Sequence, residues 1–441
     1  MRTPRLNFAF RTFAALAGVS LLGASPCRAE DLLLANPTII DGRGGTPFIG
    51  AVLIRDGRIA RVCRRSCGPV RARRLDLTGR FLIPGLIDSH VHLATDPEQA
   101  DRDAAARLEA AFRMGVTSVR DMAGDARALA ALARGAELAT RPVPRLSYAA
   151  VFGGPTFFAD PRTRTASRGY EPGQAPWQRA VTPQVGAADL RRMIAAARAT
   201  GARAIKLYAD LDAPTVTRLT AEAHRQGMMV WSHAALFPAG PRAIIGAGVD
   251  SLSHSLLLGY ELAATMPESY HRRTVPLVLP AGSAVEARMA ALFRAMRLRG
   301  IVLDATLSVG RGLLGARPGA AGFADPAAAV RWSWRATRRA LSEGVTVSAG
   351  SDSRMTEPAA LHGELEILVR DAGLTPLQAI TAATHGGARA LGRGRDLGTI
   401  QPGRIADLVV LRRNPAADIS ALRSVERVIK GGAVHPGPLQ P

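Results

Sequence analysis

Residues 81–93 read FLIPGLIDSHVHL. One apolar run passes through Gly85 into a second, 86–93, whose end carries His90 and His92. On a strand, side chains at i and i+2 share a face, so the two imidazoles point the same way. Seven further short apolar runs follow: SVRDM (118–122), RLSYAA (145–150), AIKLYA (204–209), MVWSHA (229–234), SLSHS (251–255), IVLDATL (301–307) and VTVSAGSD (345–352). Helical patterns separate most of them, at 104–114, 188–200, 214–226, 285–298, 327–343 and 362–371. Strand alternating with helix predicts a parallel sheet. Eight strands over about 270 residues predict an α/β chain folded as a (β/α)8 TIM barrel, spanning 86–394. A doubly wound open sheet competes, but no Gly-x-Gly-x-x-Gly follows the first strand.

Outside the barrel, both ends of the chain have a β texture. DLLLANPTIID, AVLIRDGRIARV and RARRLDLTGRFLIPG precede it; GTIQPGRIADLVVLRRNP and VERVIKGGAVHPG follow it. Turn residues punctuate each run. The two ends, 30–85 plus 395–441, are expected to pair into one small β-sandwich domain. Inside the barrel, residues 151–187 are rich in Gly and Pro and carry Phe157, Phe158, Tyr170 and Trp177 with little periodicity. Such a stretch reads as a lid loop over the site, with aromatic residues to pack it. Together with 256–284 it is expected to set specificity.

The polar residues at the strand ends carry the chemistry. His90 and His92 end the first strand, His233 the fifth, His254 the sixth and Asp352 the eighth. A lone His on a strand is usually a packed core residue, and an Asp after a strand is usually a helix cap. Five such groups at one end of a barrel fit a divalent-metal site better, because barrel sites lie at the C-terminal ends of the strands. Lys206, inside AIKLYA, is the sixth. Lys occurs only at Lys206 and Lys430, so the other 55 of 57 cations are Arg. Arg is never deprotonated in practice, whereas a buried Lys can lose its proton and react as an amine. With CO2 it forms a carbamate, an anionic ligand with two oxygens. Tyr208 and His362 are weaker candidates for lining a substrate pocket. Trp231 is expected to pack, and Arg120 with Asp121 to pair near the barrel mouth.

Charge and the N-terminus bear on location. The formal net charge is +21, from 57 Lys+Arg against 36 Asp+Glu. Residues 1–29 open with Arg2, Arg5 and Arg11, continue with the apolar run 12–24 and end in Cys27-Arg28-Ala29. That is the plan of a secretory signal peptide, and the run is too short to span a bilayer. Cleavage after Ala29 removes four arginines and no acid, leaving +17. The expected location is periplasmic or secreted, with no membrane span in the mature chain. Cys63 and Cys67 then remain as the only cysteine pair. A tight turn through Arg64-Arg65-Ser66 would let them form a disulfide in an oxidising compartment. No nucleic-acid-binding pattern accompanies the charge, so a nucleic-acid partner is not expected.

FLIPGLIDSHVHL (81–93) resembles the opening metal-binding segment of the amidohydrolase superfamily. LTPLQAITAATHGGARALGRGRDLGTIQPGRIADLVVL (374–411) resembles its closing segment. GVTSVRDM, AIKLYA, SHA, AGVDSLSHS and AGSDS lie between them in the family's order, and the likeness is nearest to its imidazolonepropionase-like and prolidase-like branch. The resemblance implies two divalent metal ions, with zinc the natural choice. His90, His92 and Asp352 would bind one; His233 and His254 would bind the other; carboxylated Lys206 would bridge them. A hydroxide shared by the metals would be the nucleophile, with Asp352 as catalytic base and proton shuttle. The mononuclear deaminase branch places a Glu soon after the fifth-strand His; here Ala234-Ala235-Leu236 follow His233. The implied reaction is therefore hydrolysis of C–N bonds in a small molecule: a dipeptide, an N-acyl amino acid or a cyclic amide. A lactonase or phosphotriesterase activity on the same metals is the alternative, and a non-catalytic binding protein would have lost some of these six groups. Homo-oligomerisation is left open.

Overall fold

The computed structural model describes residues 31–95, 97–273 and 277–438. The stretch expected to be a signal peptide, 1–29, with Cys27, lies outside the described residues. Five strands precede the barrel: β1 Leu32–Ile39, β2 Phe48–Arg55, β3 Arg58–Arg64, β4 Arg73–Asp76 and β5 Phe81–Pro84. The barrel region holds β6 Leu86–Val91, β7 Val116–Asp121, β8 Arg145–Gly153, β9 Gln178–Ala180, β10 Ala204–Leu207, β11 Met229–His233, β12 Ser251–Ser253, β13 Val302–Asp304 and β14 Val347–Ser348. β15 Leu408–Leu411, β16 Val425–Lys430 and β17 Ala433–Pro436 complete the set.

Eight strands run parallel in the order β6-β7-β8-β10-β11-β12-β13-β14. Strands β6, β7, β10, β12 and β13 are buried along their whole length, as expected for a sheet covered on both faces. β14 is only two residues long, and the extended segment after it draws the ring together. Ser89 N donates to Ala349 O (3.0 Å), Asp352 N to His90 O (2.8 Å) and His92 N to Ser353 O (2.9 Å). These bonds set Asp352 directly beside the two histidines of the first barrel strand.

The outer helices follow the sequence pattern. Ala213–Arg225 starts at Asp212, which accepts from Thr215 N, and Pro326–Ser342 starts at Asp325, which accepts from Ala328 N. Each has Pro in its first turn, where its missing N–H costs nothing. Two short helices, Ala126–Arg134 and Pro241–Ala247, escaped the periodicity reading. Their Ala, Gly and Pro content leaves too few large apolar residues to mark a stripe.

Both ends of the chain build one sheet in the order β17-β16-β15-β5-β1-β2-β3, with β4 pairing on β1 beside β5. Leu34, Ile39, Val52, Leu82, Leu408 and Val410 belong to its core. Gly85 alone separates β5 in this sheet from β6 in the barrel, and its N–H donates to Asp407 O (2.8 Å). A Cβ there would collide with the Thr117 side chain, so only Gly fits. Arg145 at the start of β8 ties the two units, donating to Asp407 Oδ2 (2.7 Å) and Glu137 Oε2 (2.6 Å). Lys430 is the structural lysine: buried, it donates to the carbonyls of Arg141 (3.1 Å) and Val143 (2.7 Å).

Residues 151–187 are ordered, as their aromatic content led one to expect. They hold the end of β8, a short 3-10 turn Phe157–Ala159, the helix Pro161–Ser167 and β9, which pairs with β8. Phe157, Phe158 and Trp177 are buried, and Trp177 Nε1 donates to Ala166 O (2.9 Å). The aromatic residues give this insertion its own core, so it needs no helical period. Cys63 and Cys67 form a disulfide across the turn after β3, with Cα atoms 5.2 Å apart. No helix of the described residues is long and apolar enough to cross a membrane.

Candidate active site

The C-terminal ends of β6, β10, β11 and β12 and the segment after β14 bring His90, His92, Lys206, His233, His254 and Asp352 to one place. His90 Nε2 lies 3.3 Å from Asp352 Oδ1, and His92 Nε2 lies 2.8 Å from the same oxygen. His254 Nδ1 is 4.0 Å from Asp352 Oδ2. Donor atoms of His90, His254 and Asp352 all fall within 4.8 Å of one another, close enough to share one cation. The His233 ring packs against that of His254 with centroids 4.7 Å apart, and His254 lies 5.0 Å from His90. Lys206 is fully buried, and its Nζ donates to Ser253 Oγ (3.3 Å).

Two of these residues hold backbone conformations that L-residues rarely adopt. His254 has φ 70° and Asp352 φ 51°, and Thr306, which bonds His254 Nδ1 at 2.8 Å, has φ 46°. Strain of this kind persists where the surrounding structure fixes a side chain for a task.

The electrostatics prepare the groups for a cation. Burial, reinforced by Lys206, holds the His233 imidazole far below its ordinary range. Burial also pushes His254 down to about 3. Both are therefore neutral imidazoles at pH 7, able to offer a lone pair. Burial alone would raise the Asp352 carboxyl, but His90, His92 and His254 together hold it well below the usual carboxylate range. Burial and the nearby Arg120 bring the Lys206 ammonium down to about 7, where a substantial fraction is the free amine.

The sequence reading missed Asp304. This fully buried carboxylate at the end of β13 receives Arg120 Nη2 (3.0 Å), Ser89 Oγ (2.6 Å) and Ser253 Oγ (3.1 Å), and lies 2.7 Å from His90 Nδ1. Burial opposes its charge, yet Arg120 and His90 keep it ionised. Arg120 thus pairs with Asp304 and not with Asp121. Adjacent strand residues face opposite ways, and Asp121 instead accepts from the N–H groups of Leu93 and Ala123. Trp231 packs as expected, fully buried under the Arg120 guanidinium at 4.7 Å.

Tyr208 belongs to the pocket. Its ring lies 4.3 Å from that of His233 and stacks on Phe157 at 4.5 Å. His362 does not belong to it. Its helix, Ala360–Arg370, turns it inward against the backbone of Leu422 and Met114, fully buried. The first turn of that helix follows the eighth strand, but the packing of Ile419–Arg423 on the helix decides which way residue 362 faces.

Two cavities meet at Tyr208 and Asp352. One, of about 240 Å³, is lined by His92, Thr95, Asp160, Thr163, Gln178 and Arg354. The other, of about 300 Å³, lies between His233, His254 and an apolar wall that includes Leu256, Leu313 and Phe323. The insertion after β8 forms much of the first, and the segment after β12 much of the second.

Known proteins share this arrangement of elements. The ochratoxinase of Aspergillus niger is 27% identical over 460 aligned residues, covering 95% of this chain and 89% of the relative. The imidazolonepropionase of Mycolicibacterium smegmatis is 28% identical over 393, covering 86% and 88%. Among solved structures, a Xaa-Pro dipeptidase with methionine bound in its active site matches with a TM-score of 0.72 at 22% identity, over 92% of this chain and 100% of that one. The fold of the A. niger ochratoxinase matches with a TM-score of 0.73 at 24% identity, over 93% and 96%. The amidohydrolase family pattern itself spans residues 81–434, from β5 to β17. With the family's pattern running across both units and through every residue of the site, the chain belongs to the amidohydrolase family and is a hydrolase acting on C–N bonds.

Proposed function

We propose that this protein is an exported hydrolase of amide bonds in small molecules, working with two divalent cations. The observation that carries the reading is the convergence of His90, His92, Lys206, His233, His254 and Asp352 at the C-terminal mouth of the barrel. The donor set fits the cations. His92 and His233 each keep a buried Nδ1 without a hydrogen-bond partner. His90, His92 and Asp352 would hold one cation and His233 and His254 the other, with Lys206, carboxylated, as a further anionic ligand. Imidazole and carboxylate ligands suit zinc.

Bound there, the cations lower the pKa of water and polarise the scissile carbonyl. The protein supplies the rest. Asp352, ionised, takes a proton from the attacking water and delivers it to the leaving nitrogen. Asp304 holds the His90 ring so that Nε2 faces Asp352. Tyr208 and Phe157 wall the site beside His233 and exclude bulk water. Dipeptides, N-acyl amino acids and cyclic amides are the substrate classes, a reading supported by relatives named ochratoxinase, imidazolonepropionase and Xaa-Pro dipeptidase. Export rests on the signal plan of residues 1–29.

The test pairs metal analysis with hydrolysis of a panel of dipeptides, N-acyl amino acids and cyclic amides. Two cations per chain are expected, with metal and activity lost together in His233→Ala and Lys206→Ala. Full activity in a metal-free preparation, or in both variants, would sink the mechanism. Sequencing the N-terminus of protein recovered from a bacterial periplasm is expected to give a chain starting at Glu30.

A further inference from the structure

We infer that Arg273 is the specificity residue of this site, reading the carboxylate of an apolar amino-acid unit joined to the scissile nitrogen. The inference rests on the amidase reading above and narrows its substrate class. Arg273 lines the same 300 Å³ cavity as His233, His254 and Asp352. Apart from those site groups, the wall is largely apolar, with Leu256, Leu313 and Phe323 among its residues. No carboxylate among the described residues lies within ion-pair distance of Arg273. A half-buried guanidinium without a counter-ion in an apolar chamber is costly, and a substrate anion removes that cost.

The side chain is also held for the task. Its guanidinium lies 4.7 Å over the Tyr270 ring and 5.7 Å over that of Phe237, and Nη1 donates to Ala321 O at 2.8 Å. Stacked, anchored through Nη1 and bonded also to the Tyr260 hydroxyl, it keeps further donors for a planar carboxylate. The chamber has room for one amino-acid residue, its apolar side chain on Leu256, Leu313 and Phe323 and its carboxylate on Arg273. The substrate is an N-acyl amino acid; with one water it gives a carboxylate anion and the free amino acid, its amine protonated. Water's oxygen bonds to the acyl carbon, the C–N bond breaks, and both water protons end on the leaving nitrogen. The acyl part extends toward the more polar cavity beyond Tyr208.

The experiment compares N-acetyl-L-phenylalanine with N-acetylphenethylamine, which lacks only the carboxylate, on the metal-loaded full chain. Wild type is expected to favour the carboxylate substrate by ~100-fold or more in kcat/KM, as a site built around a polar group rejects an analogue without it. In Arg273→Met that ratio is expected to fall to near unity, while Arg273→Lys retains part of it. A wild-type ratio near unity, or an unchanged ratio in Arg273→Met, overturns the assignment. Calorimetric titration with L-phenylalanine and phenethylamine gives a second readout, with the amino acid bound more tightly by wild type alone. Turnover of neither substrate, with L-phenylalanine still preferred in titration, strikes the amidase reading and supports Arg273. Equal turnover of both substrates strikes Arg273 alone.

Discussion

Asp304 Oδ2 stands 2.7 Å from His90 Nδ1, at the buried base of the site. The contact fixes which ring nitrogen carries the proton and turns the other toward Asp352. Removing the carboxylate's charge also strands Arg120, whose Nη2 rests on the same oxygen. Asp304→Asn is expected to lower metal affinity by ~10–100-fold. The loss of the buried ion pair is expected to destabilise the fold by about 3–5 kcal/mol. Metal titration and urea unfolding check both, and an Asn variant with wild-type metal affinity would remove Asp304 from the supporting role.

Gly350 has a sharper geometric role. A Cβ at this position would stand 2.5 Å from the Cβ of His90 and 2.7 Å from Asp304 Oδ1. Gly350→Ala must push His90 out of line or open the barrel seam. Overpacking of this kind costs about 1–3 kcal/mol. Thermal melting is expected to show that loss, and activity is expected to fall further than stability alone explains. A variant matching wild type in both measurements would show that the seam gives way at no cost.

Lys206 is expected to carry CO2. Incubation with ¹³C-bicarbonate and the divalent metal should give one carbamate carbonyl resonance in wild type and none in Lys206→Met. The same variant should hold fewer cations than wild type by elemental analysis. A resonance that survives in Lys206→Met would assign the carbamate elsewhere.

His362 supplies a pH dependence remote from the candidate active site. Burial, then Arg423, pushes its imidazole down to about 4, against about 6.5 in an unfolded chain. Between these values the unfolded chain binds more protons, so stability falls as pH drops from about 6.5 to 4 and levels off below. The shift corresponds to about 3 kcal/mol. In His362→Phe this part of the acid loss should vanish. Urea midpoints at pH 7 and 4.5 check it; equal acid losses in the two proteins would assign the effect to other groups.

What could be read in the sequence follows from range. His90 and His92 declared themselves because two residues apart on a strand is a local relation. His233, His254, Lys206 and Asp352 were legible because each ends an apolar run, and the barrel places all such ends together. Asp304 sits in an equally apolar run, but its partners Arg120 and His90 lie 184 and 214 residues away. No local pattern distinguishes it from a strand-end cap. His362 misled because a helix start fixes a residue's height on the barrel but not the direction it faces. Arg273 was hidden among residues 256–284, which have no period; its position is set by the rings of Phe237 and Tyr270.

The join at Gly85 has a consequence for synthesis. The strand carrying His90 continues directly from β5, and β5 is held by β15, with Leu82 opposite Val410. β1 is made before β5 and pairs with it on one side, but the neighbour on the other side, β15, is made more than three hundred residues after the strand carrying His90. Local pairing cannot substitute for so distant a contact, which places this closure late in folding. A chain ended before β15 keeps all six polar groups of the site but lacks the strand that closes the sheet on the outer side of β5.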